Sequence, residues 1–325
     1  MKTFEEILKI VENQINTINW QREPKELYAP IEYVLNLGGK RLRPALTLMA
    51  CNLFSNNVLP AINPAIGIEI FHNFTLLHDD IMDKAQMRRG QPTVHKKWNE
   101  NAAILSGDAM QIIAYQYIAQ TETELLKEIL DVFSQTAIEV CQGQQLDMDF
   151  ETQSEISENQ YLEMIKLKTA VLLGCALKIG AIVGKAQNAD CQAIYNFGIN
   201  LGLAFQLKDD FLDVWGDEKT FGKKIGGDIL CNKKTYLLIN ALQRAKGGKE
   251  EEELNFLLKN NNILPEEKIS RMTEIFNKLK IKELAEEKIN FYYKKSLENI
   301  NCVAVEDKRK ENLQILTKQL LQRIK

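Results

Sequence analysis

The stretch AINPAIGIEIFHNFTLLHDDI, Ala61 to Ile81, is apolar with small residues mixed in, until it ends in adjacent aspartates. A helix that is apolar nearly all round belongs at the centre of a bundle. A second stretch of the same kind, Thr169 to Gly184, carries Gly174, Ala176, Gly180 and Ala181. Outward from these two, helical periodicity recurs. Ile7, Ile10, Val11 and Ile15 share a stripe, as do Leu125, Ile129, Val132 and Phe133, and later Ile269, Met272, Ile275, Phe276 and Leu279. Breaks are short: Gly38-Gly39, Gly90-Gln91-Pro92, Gly216-Asp217, Gly226-Gly227, Gly247-Gly248 and Leu264-Pro265. Short alternating runs joined by Asn-Gly or Asp-Gly are absent, so strands are not expected. No linker is long enough to separate two domains. The expectation is an all-α chain forming one domain over residues 1–325. The Lys- and Glu-rich last eighty or so residues form peripheral helices with solvated faces.

With 45% hydrophobic and 26% charged residues the composition is that of a globular protein, and a net charge of −3 gives no global reason to expect nucleic acid. Positive charge is local instead: Lys40, Arg41 and Arg43; Arg88 and Arg89; Lys223, Lys224, Lys233 and Lys234. Tight basic clusters in an acidic chain suggest a small anionic ligand. Six cysteines without a CxxC pair read as reduced, mostly buried thiols of a cytoplasmic protein, and structural zinc is not expected. Glu5, Glu6, Lys9 and Glu12 make the first twenty residues an amphipathic helix rather than a signal peptide. No run of about 18 apolar residues suggests a membrane span.

Asp79, Asp80 and Asp83 close the first apolar helix. Asp79 and Asp83 fall one turn apart on one face. Paired carboxylates of this kind need a cation, and a small set of hard oxygen ligands suits magnesium. Asp209, Asp210 and Asp213 repeat the same i, i+1, i+4 spacing after the apolar run Ile194 to Leu207. One such motif is commonly a solvated helix end; two, each after an apolar helix, point to a shared task. Arg88 and Arg89 follow the first motif, and arginine binds phosphate in a bidentate fork. Lys40 and Arg43 offer either a second anion site or solvated charges at a helix start. Lys168 and Thr169 open the small-residue helix. His72, two turns before Asp79 on the same face, is either a satisfied core residue or a ligand; His78 and His95 read as structural.

These residues together resemble the trans-prenyl (polyprenyl) diphosphate synthases. GGKRLRP at 38–44, DDIMD at 79–83 with RRGQPT after it, Lys168-Thr169, and FQLKDDFLD at 205–213 with GKKIGGD after it stand in the family's order and spacing. The resemblance implies an orthogonal bundle of about ten core helices around a central cavity, in a homodimer. It implies isopentenyl diphosphate held by Lys40, Arg43, His72 and Arg89. It implies an allylic diphosphate held by Arg88, Lys168, Lys223 and Lys233, with Thr169 and Gln206 flanking the reacting carbons. Magnesium, three ions per site with diphosphate bound, would be ligated by Asp79, Asp83 and Asp209, with Asp80 and Asp213 supporting. Two departures stand out. One extra residue makes Lys223 and Lys224 compete for one role, and Asn232 replaces a frequent glycine.

In such enzymes the product length depends on residues below the first motif. Thr75 and Phe71 lie one and two turns before Asp79. Phe74, five residues before it, matches a position where the family uses an aromatic to keep products short. The expected products are farnesyl or geranylgeranyl diphosphate. The rival readings are a longer-chain synthase, a terpene cyclase and a non-catalytic partner subunit. Two intact aspartate motifs and an isopentenyl site argue against the last two.

Overall fold

A computed structural model describes residues 1–217, 225–260 and 262–321. Among them lie sixteen α-helices. They are α1 Phe4–Asn16, α2 Lys25–Asn36, α3 Leu42–Phe54, α4 Ile62–Met82, α5 Val94–Lys97, α6 Glu100–Ile118, α7 Thr123–Thr152 and α8 Glu158–Ile165. After them come α9 Val171–Val183, α10 Asn188–Trp215, α11 Gly227–Leu230, α12 Tyr236–Ala245, α13 Lys249–Lys259, α14 Pro265–Lys278, α15 Ile281–Asn301 and α16 Asp307–Leu321. The all-α expectation holds, and the helices stop at the Gly and Pro breaks. One exception is a hairpin of β1 (Met87–Arg88) and β2 (Gln91–Pro92), whose turn residues Arg89 and Gly90 have φ of 52° and 74°. Positive φ at both central positions is the two-residue turn that matches strand twist, here built from Arg-Gly rather than Asn-Gly. No described helix is long and apolar enough to cross a membrane.

Contacts divide the chain into two compact units. The first comprises Met1–Thr136, Leu173–Tyr195 and Asn301–Leu313. In it α4 packs along α6 and against α3, α1 against α3, and α2 against α6. Ile7, Val11 and Ile15 bury the predicted stripe of α1, and Ile129 and Phe133 that of α7. At the start of α1, Thr3 accepts from Glu6 N while Glu6 accepts from Thr3 N. This reciprocal cap contributes about 1 kcal/mol.

The second unit comprises Ala137–Leu172, Asn196–Ile300 and Gln314–Lys325. Its core joins Tyr161, Leu207, Phe211, Tyr236, Leu254, Met272 and Phe276. There α12 packs on α8, α13 and α14, and α11 on α14. Lys166–Ala170 forms one π turn between α8 and α9. None of the six cysteines is in a disulfide; Cys51, Cys175 and Cys191 are buried while Cys141, Cys231 and Cys302 are exposed. The thiols are therefore less buried than composition suggests, because helix periodicity leaves three on outward faces.

Candidate active site

In the first unit the site begins with two loops drawn together. Gly38 and Gly39 have φ of 79° and 132°, and a Cβ on Gly39 would lie 2.7 Å from Arg89 Nη2. Only glycine permits both the backbone and that approach. Arg89 Nη1 donates to the Gly38 carbonyl. The GGKRLRP loop thus lies against the Arg-Gly hairpin turn, although 51 residues separate them. Lys40 is exposed beside it. Arg41 is buried and pairs with Glu69 at 2.7 Å and with the Leu35 carbonyl, so it anchors the loop to α4.

Arg43 Nη1 lies 3.0 Å from His72 Nε2. Burial, then the charges of Arg43, Arg89, Arg88 and Arg41, hold His72 well below the ordinary histidine range. The ring is neutral and its Nε2 accepts from Arg43. Burial also pulls Arg43 down to about 10, with Glu69 opposing, and its Nε is buried without a hydrogen-bond partner. Two guanidiniums here have carboxylate partners: Arg41 with Glu69, and Arg88 with Asp80 at 2.8 Å and Asp79 at 3.5 Å. The other two, Arg43 and Arg89, are bonded to a neutral ring and a carbonyl. An anion would complement them.

Asp80 is buried and receives Arg88 Nε on both carboxylate oxygens at 2.8 Å. Burial raises its pKa despite Arg88. Burial pulls Arg88 down, but Asp80, Asp79 and Asp83 together raise it. Asp79 is partly exposed and Asp83, which ends α4, is exposed. Below them Phe71 is fully buried, its ring 5.4 Å from that of Phe74 and 5.2 Å from that of Phe133. Phe74 is 8% exposed and its ring is 4.8 Å from His78. Thr75 turns its hydroxyl back to the His72 carbonyl, 2.8 Å away. His95 is buried with neither ring nitrogen bonded, and His78 bonds the Ile104 carbonyl at 3.1 Å.

In the second unit Lys168 and Thr169 occupy the π turn, a geometry frequent at functional sites. Gly143 explains where that turn sits. A Cβ there would lie 2.2 Å from Lys168 N, so α7 approaches the turn backbone to backbone. One turn further along α7, Asp147 receives Lys168 Nζ at 2.6 Å and has Lys233 Nζ at 3.8 Å. Burial pushes Asp147 up, yet Lys233 and Lys168 hold it below the usual carboxylate range. Asp147 escaped the sequence analysis. Its signal was a small residue one turn before an acid on a long helix, visible only once the lysines arrive.

Thr169 donates to Gln206 Oε1 at 3.3 Å, and Gln206 donates to Asp210 Oδ1 at 3.2 Å. Tyr161 donates its hydroxyl to Asp210 Oδ2. Burial, then the charge of Asp228, pushes Asp210 up to about 8 against Tyr161, Lys233 and Gln206. Asp213 accepts the Asp228 amide at 3.0 Å and so caps α11. Asp209 is half-buried on α10. Lys223 and Lys224 lie outside the described residues.

Among the described residues no three His, Cys, Asp or Glu side chains gather closely enough to enclose a metal. Carboxylate oxygens in small number are the donors that magnesium takes alongside water and phosphate oxygens. The middle aspartates are engaged by Arg88 in one motif and by Tyr161 and Gln206 in the other.

The polyprenyl synthetase family model matches residues 24–278. A geranylgeranyl diphosphate synthase of Methanosarcina mazei is 43% identical over 68% of this chain and 69% of its own length. A geranylfarnesyl diphosphate synthase of Aeropyrum pernix is 34% identical over 93% and 96%. The crystal structure of a geranylgeranyl pyrophosphate synthase superposes with a TM-score of 0.94 at 43% identity, covering all of both chains. The one from Pyrococcus horikoshii gives 0.90 at 32% identity over 98% of each. This chain belongs to the polyprenyl synthetase family and is a prenyltransferase, a trans-prenyl diphosphate synthase.

Proposed function

We propose that this enzyme performs the magnesium-dependent 1'-4 condensation of isopentenyl diphosphate with allylic diphosphates and stops at geranylgeranyl diphosphate. The observation that carries the reading is the pair Arg43 and Arg89, two guanidiniums whose own partners are neutral. With Lys40 and His72 they would hold the isopentenyl diphosphate. Lys168 and Lys233, and Lys223 or Lys224, would hold the allylic diphosphate, with Arg88 beside the first motif. Asp79, Asp83 and Asp209 would ligate magnesium, three ions with diphosphate bound. Bound magnesium would withdraw charge from the allylic diphosphate and make it a leaving group. The C–O bond then breaks with its electron pair going to diphosphate. The isopentenyl double bond would add to the allylic cation, and the released diphosphate would take the proton that leaves to restore a double bond. Thr169 and Gln206, bonded to each other, would line the reacting carbons and keep water from quenching the cation.

The relatives named for geranylgeranyl and geranylfarnesyl products, and the stacked Phe71 and Phe74, support a short product. Exposed Ile104, Leu105 and Ile112 on α6 support a homodimer through that helix, which sedimentation equilibrium tests. The deciding experiment incubates the enzyme with magnesium, isopentenyl diphosphate and dimethylallyl, geranyl or farnesyl diphosphate, and resolves products by chain length. Twenty-carbon diphosphate is expected, none with chelator present. Hydrocarbon formed from the allylic substrate alone would make it a cyclase. Arg43→Ala in this assay should raise KM for isopentenyl diphosphate by about tenfold or more, a charge-assisted bond contributing about 1.5–3 kcal/mol. KM for the allylic substrate should stay near wild type. Phe74→Ala should lengthen the product.

A further inference from the structure

Lys234 follows the site lysine Lys233 in the segment between α11 and α12. Its Nζ donates to the carbonyl oxygens of Phe150 at 2.6 Å, Glu151 at 3.3 Å and Gln153. These lie at the C-terminal end of α7, where backbone carbonyls lack intrahelical donors. An ammonium has three N–H donors, so three carbonyls use its capacity in full. Its charge also faces the negative end of a 30-residue helix.

That same helix end carries Asp147, three residues before Phe150 and so about 4.5 Å along the axis. Lys233 therefore lies between two anchors. On one side Asn232, with φ of 53°, donates to the Leu258 carbonyl at 3.1 Å and accepts from Lys268 Nζ at 2.7 Å. These contacts tie the segment to α13 and α14. On the other side Lys234 ties it to α7, the helix whose Asp147 has Lys233 at 3.8 Å and Lys168 at 2.6 Å. Adjacent lysines thus have separate tasks: one caps a helix, the other reaches the carboxylate.

We propose that Lys234 is a positioning residue for the allylic diphosphate site, holding the segment against α7 so that Lys233 stands beside Asp147 and Lys168. The inference rests on the function proposed above. It is tested with the full-length enzyme in magnesium, using farnesyl and isopentenyl diphosphates as substrates and inorganic diphosphate as inhibitor. Lys233→Met should raise the farnesyl diphosphate KM and the diphosphate inhibition constant about tenfold, equivalent to about 1.4 kcal/mol. Lys234→Met should do nearly the same. The double variant should be no worse than Lys233→Met, because the second change acts through the first. KM for isopentenyl diphosphate should move by less than about twofold throughout, since a site-specific effect differs from general loss of binding. Lys234→Arg, which keeps charge and donors, should restore most of the affinity. If Lys234→Met fails to fold, Lys234→Gln is measured in its place. Wild-type farnesyl diphosphate KM in the Lys234 variant, or effects that multiply in the double variant, would overturn the inference while leaving the role of Lys233 intact. A silent Lys233→Met would instead overturn the role of Lys233 itself, and the inference with it.

Discussion

The two aspartate motifs have identical spacing and opposite electrostatics. In the first, buried Asp80 faces Arg88, a charge that burial leaves in place. In the second, buried Asp210 faces the neutral groups of Tyr161 and Gln206, with Asp228 adding like charge. The last aspartates differ too. Asp83 ends α4 at the surface, whereas Asp213 is buried and caps α11. A repeated spacing therefore does not give its members like surroundings: Arg88 holds Asp80, whereas Tyr161 and Gln206 hold Asp210.

The largest expected effect is where the motifs agree. Asp79→Ala and Asp209→Ala should each lower kcat on the order of 10³-fold, about 4 kcal/mol of transition-state charge stabilisation. Melting temperatures should stay near wild type. Near-normal turnover at saturating magnesium in either variant would remove that motif from the metal site.

The middle aspartates should separate. Asp80→Asn leaves Arg88 with only the longer Asp79 contact at 3.5 Å and should cost about 1–3 kcal/mol in urea unfolding, less than a fully buried pair because Arg88 is partly exposed. Asp210→Asn should behave differently with pH. Its carboxyl is raised to about 8 in the fold from 3.8, so the folded state binds the extra proton. The wild-type contribution is then full below about 4 and falls as pH rises through 8. The asparagine variant should gain on wild type from pH 5 to pH 8 in chelator and level off above. A pH-independent difference would show that Asp210 binds its proton no more tightly in the folded chain than in the unfolded one.

The smallest contrast concerns the ends. Asp213→Ala removes the cap on Asp228 N and should cost about 1 kcal/mol. Asp83→Ala, at an exposed position, should change stability by less than about 0.5 kcal/mol while losing turnover. Equal stability losses would mean that the two aspartates are structurally alike.

The family resemblance names Arg43 with His72 and Thr169 with Gln206, and each pair lies within hydrogen-bond distance, the latter across 37 residues of sequence. Asp80 and Asp213 were legible as motif members but not as partners of Arg88 and the Asp228 amide. The hairpin at Arg89-Gly90 was hidden because two-residue strands carry no alternation. Asp147 and Lys234 were hidden among ordinary charged residues of helices and loops.

By itself the sequence determined the helical class, the helix limits and the two acidic motifs. All are local: apolar period, Gly and Pro breaks, and carboxylates four residues apart need only neighbours along the chain to be read. Only the tertiary structure decided which carboxylates face solvent and which are locked. It also decided that Lys168 meets Asp147 across 21 residues, that Tyr161 meets Asp210 across 49, and that Lys234 caps α7 across 84. The reason is physical. A carboxylate's charge state depends on desolvation and on the groups packed around it, and those groups arrive from elsewhere in the chain.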